Sequence, residues 1–151
     1  MTTSVPPVTV PPVNGQVIGL AHYASRAALE RVLARSGTTF EQSVALRAVS
    51  DNGGTLERAR LVGRLTGGLK IEESAARRTV EEMTALKLLA EPTPEQVSLT
   101  DGGRELFESI RTTGNEIAAR VYAGIPAEDL ATAGRVLALV TERANAELAD
   151  A

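Results

Sequence analysis

Seven basic side chains lie between positions 58 and 87: Arg58, Arg60, Arg64, Lys70, Arg77, Arg78 and Lys87. Four acidic ones, Glu72, Glu73, Glu81 and Glu82, share that stretch. Its net charge is +3, which leaves −6 on the remainder of a chain whose total is −3. Arginines grouped in this way suit phosphate chemistry. Each can neutralise a backbone phosphate, and a planar guanidinium can also fork onto guanine O6 and N7. The acidic remainder weakens this little, because salt screens charges lying more than about 8 Å away.

Other reactive constellations are missing. The chain has no cysteine, which excludes a thiolate metal site, a cysteine nucleophile and a thiol redox sensor. Its one histidine, His22, cannot build a two-histidine metal site alone. A lone histidine is more often a structural or surface residue than a ligand contact or a haem-binding residue. Glu72-Glu73 and Glu81-Glu82 are adjacent pairs on a helical pattern, so their carboxylates point in different directions and make poor acid–base couples. No glycine-rich phosphate loop with its lysine is present. No enzyme, cofactor or metal is expected. The aromatics are only Tyr23, Phe40, Phe107 and Tyr122, with no Trp. That is too few for stacking single-stranded nucleic acid, and it directs the basic stretch toward a duplex.

The elements that must position these residues follow from periodicity. With 43% hydrophobic and 23% charged residues, the composition is that of a globular chain, and 151 residues suit one domain with helical appendages. No apolar run approaches the roughly 20 residues that span a bilayer. No basic segment followed by an apolar one marks a secretory signal, so a cytoplasmic protein without membrane contact is expected. Residues 1–15 hold four of the seven prolines, Pro6, Pro7, Pro11 and Pro12, and predict a flexible Pro-rich arm.

The spacing predicts a helix from Gln16 to about Arg35, with Gly37 as its stop. Thr38 and Glu41 form a capping-box pattern that opens a second helix, with Phe40, Val44, Ala48 and Val49 on one face. Thr55 is placed to cap a third helix, Thr55–Leu65, with Leu61, Val62 and Leu65 inward. Thr66–Lys70 reads as a turn. A fourth helix, Ile71–Leu86, carries Ala76, Val80, Met83 and Leu86 inward and Arg77 and Arg78 elsewhere. Leu88–Ala90 and Gln96–Leu99 alternate as a hairpin turning at Glu91–Pro94. Thr100 caps a long helix with a stripe of Leu106, Ile110, Ile117 and Val121. Pro126 opens the last helix, whose inward face is Leu130, Ala133, Leu137, Val140, Ala144 and Leu148.

A helix–turn–helix followed at once by a hairpin is a winged helix-turn-helix, in a mostly α (α+β) chain. The long apolar stripes of the flanking helices exceed what so small a core can cover, which predicts association between chains. Within the motif, Ser74-Ala75-Ala76-Arg77-Arg78-Thr79-Val80-Glu81-Glu82-Met83 followed by Leu88-Leu89, and then Val97-Ser98-Leu99-Thr100-Asp101-Gly102-Gly103, carry a resemblance. The chain resembles the multiple-antibiotic-resistance regulator (MarR) family over roughly Gln16 to Leu148. The first stretch looks like the family's recognition helix, and the second like its V-x-L-T-x-x-G at the end of the wing.

Two features depart from the family pattern. The turn around Thr66–Lys70 is about one helical turn longer. The wing tip, Glu91-Pro92-Thr93-Pro94-Glu95, lacks the family's minor-groove arginine, so no minor-groove contact is expected there.

The resemblance implies a homodimeric repressor of transcription on double-stranded DNA. Its two recognition helices would enter successive major grooves of a pseudo-palindrome, about 34–36 Å apart. It implies four segments: the arm at 1–15, an N-terminal dimerisation helix at 16–37, the winged domain at 38–100 and C-terminal dimerisation helices at 101–151. Ser74, Arg77 and Arg78 are the expected base-reading residues. Arg58, Arg60, Arg64 and Lys70 are the expected phosphate contacts. A small-molecule effector is allowed for, with His22 a weak candidate because the family's first helix lies near the dimer interface and ligand crevice. The alternative is a winged-helix module that binds protein instead of DNA, which the acidic wing favours.

Overall fold

A computed structural model describes residues 10–151. The expected arm therefore lies, over residues 1–9, outside the described residues. Val10–Asn14 form no helix or strand. The elements in order are α1 (Gly15–Leu33), a short 3-10 turn (Ala34–Ser36), α2 (Phe40–Asp51), β1 (Thr55–Glu57), α3 (Arg58–Leu69), α4 (Glu73–Ala85), β2 (Leu89–Thr93), β3 (Gln96–Leu99), α5 (Asp101–Val121) and α6 (Ala127–Ala149). The described residues fall into two units, one running to Asn115 and the other Glu116–Ala151. The first contains the winged helix-turn-helix.

Local chemistry sets the helix starts. Asn14 caps α1 by accepting from the Val17 amide at 2.9 Å. The capping box of α2 is present one residue later than expected. Thr39, not Thr38, accepts from the Gln42 amide, and the Gln42 side-chain oxygen accepts from the Thr39 amide in return, both at 3.1 Å. The sequence offers two threonines followed by Glu41 and Gln42, so the pattern fits both registers. Thr38 is instead buried, with its hydroxyl 2.8 Å from that of Ser36.

The structure differs most from the expected elements before α4. Thr55 does not cap a helix but starts the three-residue strand β1. The sheet is antiparallel in the order β1-β3-β2, with Leu56 opposite Val97 and Leu89 opposite Leu99. These four residues are buried and close the core from the sheet side. The third helix then runs on to Leu69 through Gly67 and Gly68, so the expected long turn is a longer helix followed by a short turn. Lys70 takes a left-handed conformation (φ 57°) as its C-cap. Its ammonium reaches back 2.6 Å to the Gly67 carbonyl and complements the helix C-terminus. The wing also turns later than expected, at Pro94-Glu95. Pro92 sits on the edge strand β2 within an irregular stretch of its pairing with β3, where its missing amide is tolerated.

The core joins α2, α3, α4, the sheet and α5. Leu46, Val49, Leu61, Leu65, Val80 and Met83 are fully enclosed, each stabilising the fold by about 1.5–3 kcal/mol through burial. Leu86, expected inward, is exposed because α4 ends at Ala85 and the chain turns out through Lys87 (φ 58°). Phe107 is buried beside the expected Leu106 and Ile110.

The Gly103 position explains the V-x-L-T-x-x-G pattern. The Thr100 hydroxyl accepts from the Gly103 amide at 3.0 Å and donates to the Lys87 carbonyl at 2.6 Å. This draws the first turn of α5 against the strand entry so closely that a β-carbon on residue 103 would collide with the Leu88 carbonyl oxygen.

Candidate nucleic-acid interface

The amphipathic pattern of α4 fixes what the helix offers to a partner. Ala76, Thr79, Val80 and Met83 face the core. Glu73, Ser74, Arg77, Arg78, Glu81 and Glu82 are exposed. Ser74 and Arg78 share one helical row, and Glu73, Arg77 and Glu81 the next. The three expected base-reading residues thus stand together on one outward face. Thr79 stays out of that face, with its hydroxyl donated to the Ala75 carbonyl at 3.0 Å. The N-cap Glu72 makes no side-chain bond to the helix.

The two exposed arginines of α4 are in different states. The Nε and Nη2 of Arg77 donate to the same Glu73 oxygen, Oε1, at 3.0 and 2.6 Å. Arg78 is exposed and forms no ion pair among the described residues.

The four expected phosphate contacts divide further. Arg60 and Arg64 lie one turn apart on α3, and both are exposed. Arg60 is exposed and unpaired among the described residues. Arg64 donates from Nη1 to the Ala48 carbonyl at 3.1 Å, so it ties α3 to the last turn of α2. Lys70 caps its own helix, as described. Arg58 is half-buried and ion-paired with Glu91 of the wing. Its amide also donates to the Glu95 carbonyl at 2.7 Å. Residues 91 and 95 thus hold the start of α3, a role that sequence spacing does not reveal because the partners are over 30 positions apart.

His22 is exposed on α1 and belongs to a small aromatic group. Its ring meets Phe40 edge-on at 6.5 Å and Tyr23 at 5.7 Å. The Arg26 guanidinium lies over Phe40, 4.2 Å from the ring centre, and contacts Glu30 and Glu41. The spacing of His22 and Arg26, one turn apart on α1, is the signal that could have joined them. A separate cleft of about 200 Å³ is lined by Ser50, Gly53, Gly54, Leu99, Arg104, Phe107 and Glu108. It does not include His22, and it is smaller than the usual ligand pocket of about 300 Å³ or more. No helix among the described residues is long and apolar enough to cross a membrane.

No protein-family model and no curated protein matches the chain. Solved structures do. Ligand-free NadR superposes with a TM-score of 0.70 at 20% identity, over 87% of this chain and 99% of that one. The chain has the winged-helix fold of MarR-family regulators. BpsR of Bordetella bronchiseptica, whose DNA binding is regulated by 6-hydroxynicotinic acid, matches this MarR-like fold with a TM-score of 0.69. The identity is 22%, over 90% of this chain and 99% of that one. A mutant MarR from E. coli complexed with operator DNA gives 0.69 at 19% identity, over 83% and 91%. The match to the MarR-like fold thus covers 83–90% of this chain, well beyond the helix-turn-helix.

Proposed function

We propose that this chain is a cytoplasmic, sequence-specific regulator of transcription that binds double-stranded DNA as a homodimer and acts as a repressor. The observation that carries this reading is the outward face of α4, where Ser74, Arg77 and Arg78 stand together on the second helix of a winged helix-turn-helix. A helix of this kind enters a major groove, and arginines on it discriminate guanine by about 1–3 kcal/mol per bidentate contact. Arg60 is the best-placed phosphate contact, with Arg58, Arg64 and Lys70 available only if they leave their internal partners. The segments 16–37 and 101–151 are assigned to dimerisation. In support, α6 buries none of its residues, and Leu130, Leu137 and Val140 are exposed.

An effector that binds one dimer geometry better than the other would shift the separation of the two reading helices. His22, with Arg26 and Phe40, is the candidate contact. The test is selection of bound fragments from genomic DNA, followed by mobility-shift titration of the selected sequence. A pseudo-palindromic site bound by the parent and lost in the Arg77→Ala, Arg78→Ala double variant supports the reading.

A second reading is a winged-helix module that binds protein. The Arg58–Glu91 ion pair favours it, because the wing uses an acidic side chain to neutralise a cation at the start of α3. Failure to select any DNA, with a stoichiometric protein partner recovered instead, would establish this reading.

A further inference from the structure

We propose that Glu73 is a specificity-determining residue that reads cytosine and holds Arg77 in position for the neighbouring guanine. This rests on α4 being the DNA-reading helix. Glu73 stands in the first turn of α4, exposed, on the same helical row as Arg77. Its carboxylate is not spent on capping the helix. Instead Oε1 takes both the Nε and the Nη2 of Arg77.

The geometry of that contact leaves specific atoms available. A guanidinium has a side edge, Nε with Nη2, and an end edge, Nη1 with Nη2. Glu73 occupies the side edge. The end edge remains to fork onto guanine O6 and N7. Fixing the side chain beforehand reduces the rotamer entropy that Arg77 would lose on binding. The second oxygen of Glu73, Oε2, accepts nothing in the ion pair.

A carboxylate in the major groove lies between two rows of phosphates and is repelled by them. It is tolerated where a base amino group donates to it, and cytosine N4 is the donor that glutamate reads. Glu73 therefore opposes binding to random DNA and favours a site with a cytosine beside the guanine of Arg77. It adds discrimination in both directions.

The test is sequence selection with the full-length parent and with the Glu73→Ala and Glu73→Gln variants, followed by titration on the selected site and on random duplex. Glu73→Ala is expected to bind the parent's site roughly tenfold more weakly and random duplex more tightly, with the preference at one cytosine lost. Glu73→Gln is expected to keep the hold on Arg77 through its amide oxygen and, with an N–H donor where Oε2 accepted, to move that position from cytosine toward a base that presents an acceptor. The inference is overturned if both variants select the parent's sequence unchanged, or if Glu73→Ala tightens specific and random binding alike. If the parent selects no sequence at all, the reading of α4 itself falls, which the parent lane alone reveals.

Discussion

Arg58, the first residue of α3, is ion-paired with Glu91 on the wing strand β2. The pair ties the wing to the helix that precedes the reading helix, and it neutralises one of the seven cations in the basic stretch. Both side chains remain partly exposed, so the pair itself is worth at most about 1 kcal/mol to stability. Its larger effect is on charge. Replacing Glu91 with Gln is expected to leave the unfolding midpoint nearly unchanged and to strengthen binding to random duplex at low salt. The slope of log affinity against log salt should steepen by up to about one phosphate contact. Anisotropy titrations at several salt concentrations check this. An unchanged slope would mean that Arg58 lies away from the DNA backbone.

Arg60 is expected to behave as a simple phosphate contact. It has no internal partner among the described residues, so Arg60→Ala should leave stability unchanged. Affinity should fall by a similar factor on the selected site and on random duplex, and the salt slope should decrease by about one. A change in the selected sequence would place Arg60 at a base edge instead.

Arg64 separates from Arg60 on stability. Its bond satisfies the Ala48 carbonyl in the last turn of α2, where the helix has no amide of its own to offer. Arg64→Ala is expected to cost about 1 kcal/mol, a fall of about 2–4 °C in thermal midpoint at fixed protein concentration. A large loss of DNA affinity at unchanged midpoint would reverse this assignment and make Arg64 a phosphate contact.

The two adjacent glycines at the start of α5 should respond with opposite signs. At Gly103 a β-carbon would strike the Leu88 carbonyl oxygen, so Gly103→Ala is expected to destabilise by about 1–3 kcal/mol. At Gly102 the nearest atoms would be 3.7 and 3.8 Å away, an ordinary contact. Gly102→Ala should therefore be neutral or stabilising by up to about 1 kcal/mol from helix propensity. Chemical denaturation of the two variants side by side checks the pair.

The element order, the inward residues Leu61, Val62, Leu65, Ala76, Val80 and Met83, and the outward face of α4 were legible because they depend on helical periodicity within one segment. The strand β1 was not. Thr55–Glu57 is too short to show alternation and exists only because it pairs with β3, some 40 positions later. The extension of α3 through Gly67 and Gly68 was hidden for a related reason. Glycine disfavours helix locally, but packing of Leu65 and capping by Lys70 outweigh that preference. On α4, the exposed positions of Arg77 and Arg78 could be read. The internal bonds of Arg58 and Arg64 could not, because their partners, Glu91 and Ala48, come from other elements.

The central claim is that Arg77 and Arg78 read bases from the outward face of α4. The most direct measurement is mobility-shift titration of the parent and the Arg77→Ala, Arg78→Ala double variant on the selected site and on random duplex, at moderate salt. The parent is expected to prefer the selected site strongly, and the double variant to lose that preference while keeping its unfolding midpoint. A double variant that still binds the selected site as tightly and as selectively as the parent would contradict the account.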